Sequence, residues 1–514
     1  MLNGVYALTY ERIFLAKGRA VLFNSSSFLF FFLPLFILCA KLAAVGGPKG
    51  SSRLFLLFSL IFYASWNAPA LFLLVGTLAI NYAFACQLCR QENETSVSRR
   101  NLLILALILN LLPLLYAKYS GFFAETIQSL LGVSFTFEAP ALPPGISFYT
   151  FIQIAWLVSV YRREVTPAGL ERHTVFSTFF PYILSGPIVR YQEMGPQLDQ
   201  VRAPNAQSLA LGLSLFAIGL GKKVLLADSL ALSANAVFGA AEKAWPLTGA
   251  EAWLGSLSYS FQLYFDFSGY TDMAIGLGLM LGLLLPENFI SPYKATGIVD
   301  FWRRWHITLG LWLRDFLYIP LGGNRHGKLK QYRNLFLTML IGGACHGAGW
   351  TFIIWGAMHG LMLCINHFFR AQIKGRTWAG IFERLPVRVA FICLTFFCLN
   401  LAWVVFRAQS LEGAWRVYSA MFAQPLAATG AAGDLQGFFP HHYFQDWTDF
   451  ALLALSAFII WALPASHEIT SRRQDTTCWL RFSLTRSWAV CLSLLFLLSL
   501  LMLTRQSAFL YFQF

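Results

Sequence analysis

Long apolar segments separated by short polar loops run through most of the chain. A membrane-spanning helix needs about 20 mostly apolar residues, and segments near this length recur from residue 27 onwards. The pattern predicts spans near 27–46, 52–66, 69–89, 101–118, 145–161, 207–226, 253–267, 270–285, 352–369, 387–406, 448–465 and 487–505. We therefore expect an all-α polytopic membrane protein.

Three segments between these spans break the pattern. Residues 175–195, 300–322 and 334–351 are too short, too polar or too rich in Gly and Pro to be ordinary spans. We expect interfacial or re-entrant pieces, which are tolerated at membrane depth only where protein buries them or water reaches them. Because polar groups inside a membrane are costly, the region from residue 300 to residue 359 is where we expect the chemistry.

The first 20 residues carry four charged side chains and lack a continuous apolar core, which excludes a secretory signal. We expect either a short interfacial tail or a chain whose translation begins at Val21. Residues 21–514 are expected to form one transmembrane domain.

Composition and charge agree with a membrane protein. The chain is 57% hydrophobic and only 12% charged, whereas soluble domains are roughly 25% charged. The formal net charge of +14 could indicate nucleic-acid binding. However, the Lys and Arg residues lie in short clusters between apolar runs, as expected of cytoplasmic loops. We therefore expect membrane lipids, and no nucleic acid, as partners of the basic surface.

The basic clusters also predict a partial topology. They are Arg325, His326, Lys328, Lys330 and Arg333; Arg370, Lys374, Arg376, Arg384 and Arg388; and Arg472, Arg473, Arg481 and Arg486. If all are cytoplasmic, an even number of crossings separates them, and the spans at 387–406 and 448–465 satisfy this. Residues 407–447 then lie outside, either as a docking loop for a partner or as a plain connector.

The nine Cys residues do not predict a disulfide framework, because most lie inside apolar spans, where Cys behaves as a small buried hydrophobe. Cys86 and Cys89 have the spacing of a redox or zinc motif. No second Cys pair or nearby His completes it, so we expect no metal site.

Two histidines are the leading candidates for catalysis. His346 lies in a Gly-rich stretch, where backbone or a thin ligand can approach closely, and imidazole accepts protons near neutral pH. The alternative for His346 is a buried side chain bonded to a carbonyl. His306 follows Trp and Arg residues typical of a membrane interface. There, Arg303 and Arg304 could also attract an anionic substrate.

Other polar residues are expected to support these two histidines. Adjacent Arg314 and Asp315 are expected to make separate ionic contacts that fix the fold. The basic loop that follows, with Arg325, Lys328 and Lys330, could bind phosphates, although no phosphate-binding fingerprint is present.

Carboxylates also occur in the apolar segment near residue 266. Gln262 and Asp266 are four residues apart and would share a helix face, and Asp272 follows. They could orient a histidine or lock helices together. Their spacing supports no metal site, and the chain has no Walker or dinucleotide motif.

Several sequence blocks occur in a fixed order: Pro144–Gln153, Phe180–Tyr191, Gly221–Asp228, Tyr259–Tyr270, Pro286–Tyr293, Asp300–Arg325, His346–Gly360 and Tyr511–Phe514. Together they resemble the membrane-bound O-acyltransferase family. The similar branch is the bacterial one that contains the alginate O-acetyltransferase membrane subunit and the D-alanyl transferase of teichoic acids. The blocks Pro320–Arg325 and Leu285–Asn288 are more similar to the polysaccharide acetylation systems.

The resemblance implies a helical bundle with re-entrant segments around a central tunnel. It implies that His346 is the family's near-invariant histidine and His306 the second polar residue of the tunnel. His359 matches the histidine of the family's second Trp-Gly-x-x-His motif. Two positions depart from the family pattern, because Cys345 replaces a Trp and Ser159 replaces an Asp. These changes could alter the shape of the accepted substrate or the rate, or could abolish activity.

The resemblance further implies a bacterial inner-membrane enzyme that moves an acetyl group from cytoplasmic acetyl-CoA towards a polysaccharide outside, through an extracytoplasmic partner protein. His346 would act as general base and His306 would hold the thioester or polarise its carbonyl. Arg303, Arg304 and the basic loop would receive the CoA phosphates, and no cofactor would be bound permanently. The alternatives are transfer of D-alanine or another acyl group from a carrier protein, and a non-enzymatic export subunit.

Overall fold

The computed structural model describes residues 21–91, 96–201, 203–425, 439, 441, 443–444, 447–470, 479–503 and 509–510. All regular structure in these residues is helical, which confirms the expected fold class. The predicted tail at 1–20 and the block Tyr511–Phe514 lie outside the described residues, as do Arg472 and Arg473.

The α-helices of the described residues are numbered in chain order. They are α1 (Leu33–Ala43), α2 (Gly47–Trp66), α3 (Ala68–Arg90), α4 (Ser96–Leu131), α5 (Ile146–Tyr161), α6 (Leu170–Thr178), α7 (Phe180–Ile183), α8 (Tyr191–Leu198), α9 (Ala206–Gly221), α10 (Asp228–Glu242), α11 (Gly249–Met280), α12 (Ile298–Trp302), α13 (Ile307–Leu313), α14 (Lys328–His346), α15 (Trp350–Ile373), α16 (Leu385–Arg407), α17 (Leu411–Ala423), α18 (Trp447–Ala462), α19 (Ser466–Ile469) and α20 (Arg486–Leu501). π-helical turns occupy Phe28–Phe32, Lys222–Ala227 and Arg314–Tyr318.

Within the described residues, six helical runs are long and apolar enough to cross a membrane. They are Phe28–Trp66, Ala68–Arg90, Val97–Leu131, Ala206–Glu242, Trp350–Ile373 and Leu385–Arg407. Three shorter apolar helices, α5, α18 and α20, also fall on predicted spans. The expectation of a multi-pass membrane protein is confirmed, although the span predicted at 207–226 is part of a longer run.

The spans predicted at 253–267 and 270–285 are wrong as separate elements, because α11 runs unbroken from Gly249 to Met280. Gly269, where we expected a break, is a contact point with α9. A Cβ atom at Gly269 would lie 2.7 Å from the carbonyl oxygen of Gly219. Small residues let membrane helices approach this closely.

The segment 334–351, which we expected not to be an ordinary span, lies mostly in α14, and α14 is not among the helical runs that are long and apolar enough to cross a membrane. Glycines again allow a close helix contact. Gly343 of α14 lies against Gly356 of α15, and a Cβ atom at Gly343 would lie 2.8 Å from the Cα of Gly356. The two helices therefore pack at backbone distance. The other two irregular segments, 175–195 and 300–322, are indeed broken into short helices.

Helix α11 is the central element of the fold, and 28 of its residues are buried. Its 32 residues correspond to about 48 Å, which exceeds the roughly 30 Å hydrocarbon layer. At its N-terminal end, Glu251 accepts a 2.8 Å hydrogen bond from His441 of the predicted outer loop. At its C-terminal end, the chain enters the 285–306 region. The helix therefore connects the predicted outer loop to the predicted site.

Buried ion pairs join α11 to the π turn at Lys222–Ala227. Lys222 lies 2.7 Å from Asp272, and Lys223 lies 2.7 Å from Asp266 and 2.6 Å from Asp228. Asp266 also accepts a hydrogen bond from the backbone of Leu510. Of the two roles considered for these carboxylates, the structure therefore supports locking helices together.

Candidate active site

His306 lies in the turn between α12 and α13, in the left-handed region with φ of 42°. This conformation is uncommon outside Gly, and such residues often occur at functional sites. Two backbone hydrogen bonds hold the turn against the preceding segment, from Ile290 to Arg304 and from Ile307 to Asn288. His306 is 2% exposed, and its ring makes an edge-to-face contact with the Phe267 ring of α11, with ring centroids 4.7 Å apart.

The Asn288 side chain fixes which nitrogen of His306 carries a proton. Its Oδ1 accepts hydrogen bonds from the backbone N–H of Thr308 at 3.1 Å and from the Thr308 hydroxyl at 2.7 Å. Since a backbone N–H can only donate, this atom is the amide oxygen and not the nitrogen. The same oxygen lies 3.3 Å from Nδ1 of His306, so Nδ1 is the donor. In neutral His306, Nε2 is therefore left as a proton acceptor.

His346 is the last residue of α14 and is 8% exposed. The rings of Trp355 and Phe406 contact it edge to face at 5.1 and 5.5 Å. Shared aromatic neighbours connect His346 to the other two histidines. The Trp355 ring also contacts His359, with ring centroids 4.6 Å apart. The Trp403 ring packs on Trp355, on His359 and on Trp305, the residue before His306. The structure therefore brings together the three histidines that the sequence singled out.

His359 is fully buried among aromatic rings of neighbouring helices. Its Nδ1 accepts a 3.3 Å hydrogen bond from the indole N–H of Trp302, so its Nε2 carries the proton when the ring is neutral. Trp302 belongs to the Trp-Arg-Arg-Trp-His segment. This hydrogen bond therefore ties α12 to α15 beside the two other histidines.

A polar cavity of about 510 Å³ opens beside the Trp-Arg-Arg-Trp-His segment. Its walls are Lys294, Thr296, Asp300, Arg304, Phe382, Glu383 and Arg388. Arg304 is held in place by a 2.8 Å ion pair with Asp300. Arg388 comes from the second basic cluster, so that cluster and Arg304 lie on the same face of the bundle. The arrangement suits a ligand with negative charge.

The other residues proposed for donor binding do not line this cavity. Arg303 is exposed, as are Arg325, Lys328 and Lys330. Gln262 is buried on α11, and its Oε1 has no hydrogen-bond partner among the described residues. Among the residues that the structure describes, no three His, Cys, Asp or Glu side chains are arranged to hold a metal ion.

The expectation that Arg314 and Asp315 make separate ionic contacts is wrong. The Arg314 guanidinium lies 2.6 Å from the Asp315 carboxylate itself, and Arg190 binds the same carboxylate. The π turn at Arg314–Tyr318 places both charges on one side of the chain. Burial alone would raise the pKa of Asp315, but hydrogen bonds from Arg314 and Arg190 hold that pKa below its usual value. The cluster stabilises the turn after α13.

The structure shows the contacts made at and beside Cys345 and Ser159, the two positions that depart from the family pattern. The carbonyl of Cys345 accepts a hydrogen bond from Lys118, and Trp355 and Phe406 provide the aromatic contacts to the neighbouring His346. The hydroxyl of Ser159 accepts a 2.8 Å hydrogen bond from Gln192.

Sequence reasoning missed Asn288, Lys294, Arg388 and Lys118 as residues of this region. Asn288 belonged to a quoted block, but nothing in the sequence indicated its contact with His306. Arg388 was assigned to a loop cluster and not to a cavity wall. Lys118 lies in an apolar span, where a single Lys is costly and indicates a functional position.

Replacing Asn288 with Leu is expected to lower the acyl-transfer rate on the order of 100-fold, because a histidine that loses its orienting acceptor becomes misplaced. Asn288→Asp keeps the acceptor oxygens and is expected to retain more activity. The rates would be measured in membranes that contain equal amounts of each variant. Equal rates for Asn288→Leu and the wild type would contradict the role assigned to this side chain.

Comparison with known proteins identifies the family of this chain. The model of the membrane-bound O-acyltransferase family matches residues 58–406. The chain is 41% identical over 409 residues to the probable alginate O-acetylase AlgI of Pseudomonas aeruginosa, covering 78% of this chain and 75% of the relative. It is 42% identical over 433 residues to the peptidoglycan O-acetyltransferase of Helicobacter pylori, covering 78% of this chain and 80% of the relative.

A third relative is more distant. The teichoic acid D-alanyltransferase of Bacillus subtilis is 28% identical over 319 residues, covering 57% of this chain and 75% of the relative. The higher identity to the two acetylating proteins agrees with the branch that the sequence blocks indicated. The chain belongs to the membrane-bound O-acyltransferase family.

Proposed function

We propose that this protein transfers an acetyl group from acetyl-CoA on the cytoplasmic side towards a hydroxyl of an extracytoplasmic polysaccharide. The observation that carries the proposal is the gathering of His306, His346 and His359 around shared Trp rings, with a cavity of three basic side chains next to the segment of His306. The names of the alginate and peptidoglycan relatives support an acetyl group and a polysaccharide acceptor.

Acyl transfer from a thioester requires little activation of the donor, because a thioester is already reactive. The site must chiefly position the nucleophile. His346 takes the proton from the accepting hydroxyl as its oxygen attacks the acetyl carbon. The carbon–sulfur bond then breaks, and the proton passes from His346 to the departing thiolate. An ester and free CoA are the products.

The role of His306 is narrowed by its hydrogen bond to Asn288. With the proton on Nδ1, neutral His306 presents an acceptor at Nε2 and cannot polarise the carbonyl from that atom. It can instead orient the accepting hydroxyl or receive a proton from it. We therefore favour an orienting role beside His346 over polarisation of the carbonyl.

The polar cavity is proposed to receive the donor's phosphates. Lys294, Arg304 and Arg388 supply cationic groups there, and Arg is well suited to phosphate. The exposed Arg303, together with Arg325, Lys328 and Lys330 of the basic loop, would make the first electrostatic contact with the incoming nucleotide.

The acceptor side is proposed to lie at the N-terminal end of α11, where His441 of the segment 407–447 contacts Glu251. An extracytoplasmic acetyltransferase partner would dock there and pass the acetyl group to the polymer. The protein would be located in the bacterial inner membrane.

The alternative function, transfer of D-alanine or another acyl group from a carrier protein, rests on the more distant relative. Family membership leaves the non-enzymatic export subunit without support.

The proposal is tested with radiolabelled acetyl-CoA and membrane vesicles from cells with and without the gene. We expect label to appear in extracytoplasmic polysaccharide only with the gene present, and deletion to leave polymer secretion normal but the polymer unacetylated. Enzymatic release of label from alginate-like polymer or from peptidoglycan identifies the acceptor. Transfer from a charged carrier protein, without consumption of acetyl-CoA, would overturn the choice of donor.

A further inference from the structure

Two adjacent side chains of α4 reach the end of the helix that carries His346. The ammonium of Lys118 donates a 2.6 Å hydrogen bond to the carbonyl of Cys345. The hydroxyl of Tyr119 donates to the carbonyl of Ala344. These contacts join residues more than 220 positions apart in the chain. The two carbonyls belong to the residues directly before His346.

The contacts satisfy groups that a helix end otherwise leaves unpaired. The last four carbonyls of an α-helix have no partner within the helix, and they carry a partial negative charge of about half an electron. Gly347, which follows His346, is extended with φ of −166° and does not continue the helix. A cation and a hydroxyl from α4 therefore donate hydrogen bonds to carbonyls in the last turn of α14.

The contact with the Cys345 carbonyl is not accompanied by an ion pair of Lys118 among the described residues. No carboxylate lies within ion-pair distance of it in the described part of the chain. An ionisable side chain in a membrane bundle without a carboxylate partner is costly and usually functional. The carbonyl that Lys118 binds belongs to the residue directly before His346.

We propose that Lys118, assisted by Tyr119, is a positioning residue that fixes the end of α14 and thereby aims His346 at the acyl group. The inference rests on the proposed role of His346 as general base. Lys118 itself need not touch either substrate. Because the contact holds the backbone at 344–345, a small shift there moves the imidazole directly.

The test compares Lys118→Met, which keeps length but removes the donor, with Lys118→Arg, which keeps a cation. We expect Lys118→Met to lower kcat on the order of 100-fold with KM for acetyl-CoA within about 2-fold of the wild type. Lys118→Arg should recover at least about a tenth of wild-type kcat. Lys41→Met, which changes an exposed Lys on α1, is the matched control and should behave as the wild type.

Tyr119→Phe keeps the proposal testable if Lys118→Met does not fold. It removes one of the two hydrogen bonds without altering charge, and we expect kcat to fall about 5- to 10-fold while the thermal midpoint in detergent changes little. A folded Lys118→Met protein with wild-type kcat, or a change confined to KM, would overturn the inference. So would a folded Tyr119→Phe protein with wild-type kcat.

The outcome is distinguishable from failure of the proposed function. If His346→Ala is inactive while Lys118→Met has wild-type kcat, only the positioning role is wrong. If His346→Ala retains wild-type activity, the general base has been misassigned, whatever Lys118→Met shows.

Discussion

Replacing His346 with Ala is expected to lower the rate of acyl transfer by about two to four orders of magnitude. The accepting hydroxyl is a poor nucleophile while it keeps its proton, so a positioned base controls the step. His346 lies at the end of α14, buried against Trp355 and Phe406. A neutral imidazole in such a site can accept the proton, whereas Ala offers no acceptor.

The measurement is transfer of labelled acetyl in vesicles, with binding of acetyl-CoA followed separately by titration calorimetry on the purified protein. We expect His346→Ala to bind the donor with nearly unchanged affinity, because the basic cavity is intact. His326→Ala, which removes an exposed histidine of the basic loop, serves as the matched control. A correctly inserted His346→Ala protein with the wild-type rate would show that another group is the base.

The sequence predicts the location of His306 but not its tautomer. The Trp-Arg-Arg-Trp-His pattern was enough to place His306 in a broken segment, since its composition fits neither a span nor a loop. Its tautomer depends on Asn288, which lies 18 residues earlier and meets it only after the chain folds back. Local patterns do not contain such contacts. The location of the residue was therefore predictable and its chemical role was not.

Glycines explain why α11 is one helix and why α14 is regular. Gly269 lies between the spans predicted at 253–267 and 270–285, and Gly343 lies in the Gly-containing segment 334–351. Because Gly weakens an isolated helix, both glycines favour a break when the sequence is considered alone. In the bundle they instead allow α9 to approach α11 and α14 to approach α15 at backbone distance. The stabilisation comes from a partner helix far away in sequence. A Gly inside an apolar segment therefore indicates either a break or a close crossing, and only the fold distinguishes them.

The charged residues inside the bundle divide into two groups. Lys222 and Lys223 are paired with Asp272 and Asp266, so the charges of these side chains are compensated and serve to join helices. Arg304 and Arg388 line an open polar cavity instead, and Arg304 stays partly exposed although it is paired with Asp300. Composition does not distinguish the two groups. Their burial shows which cations are available to a ligand.

Because Arg304 and Arg388 are accessible to a ligand, replacing them should strongly weaken binding of the acyl donor. Combining Arg304→Gln with Arg388→Glu is expected to raise KM for acetyl-CoA by about 100-fold or more, since charge-assisted hydrogen bonds are worth roughly 1.5–3 kcal/mol each. The wild-type cavity has three basic and two acidic side chains, and the variant has one basic and three acidic. Gln at position 304 can still hydrogen-bond Asp300, which limits local damage. We expect kcat to change little, because phosphates lie away from the reacting carbon.

Salt dependence separates this prediction from a structural effect. Raising ionic strength screens exposed charges, so KM of the wild type should increase while KM of the variant changes less, and the two should converge. Arg376→Glu alters the same basic cluster but not the cavity wall, and it should leave KM within about 2-fold of the wild type. If the double variant keeps a wild-type KM while Arg376→Glu or changes at Lys328 and Lys330 raise it, the donor enters through the exposed loop and not through the cavity beside His306.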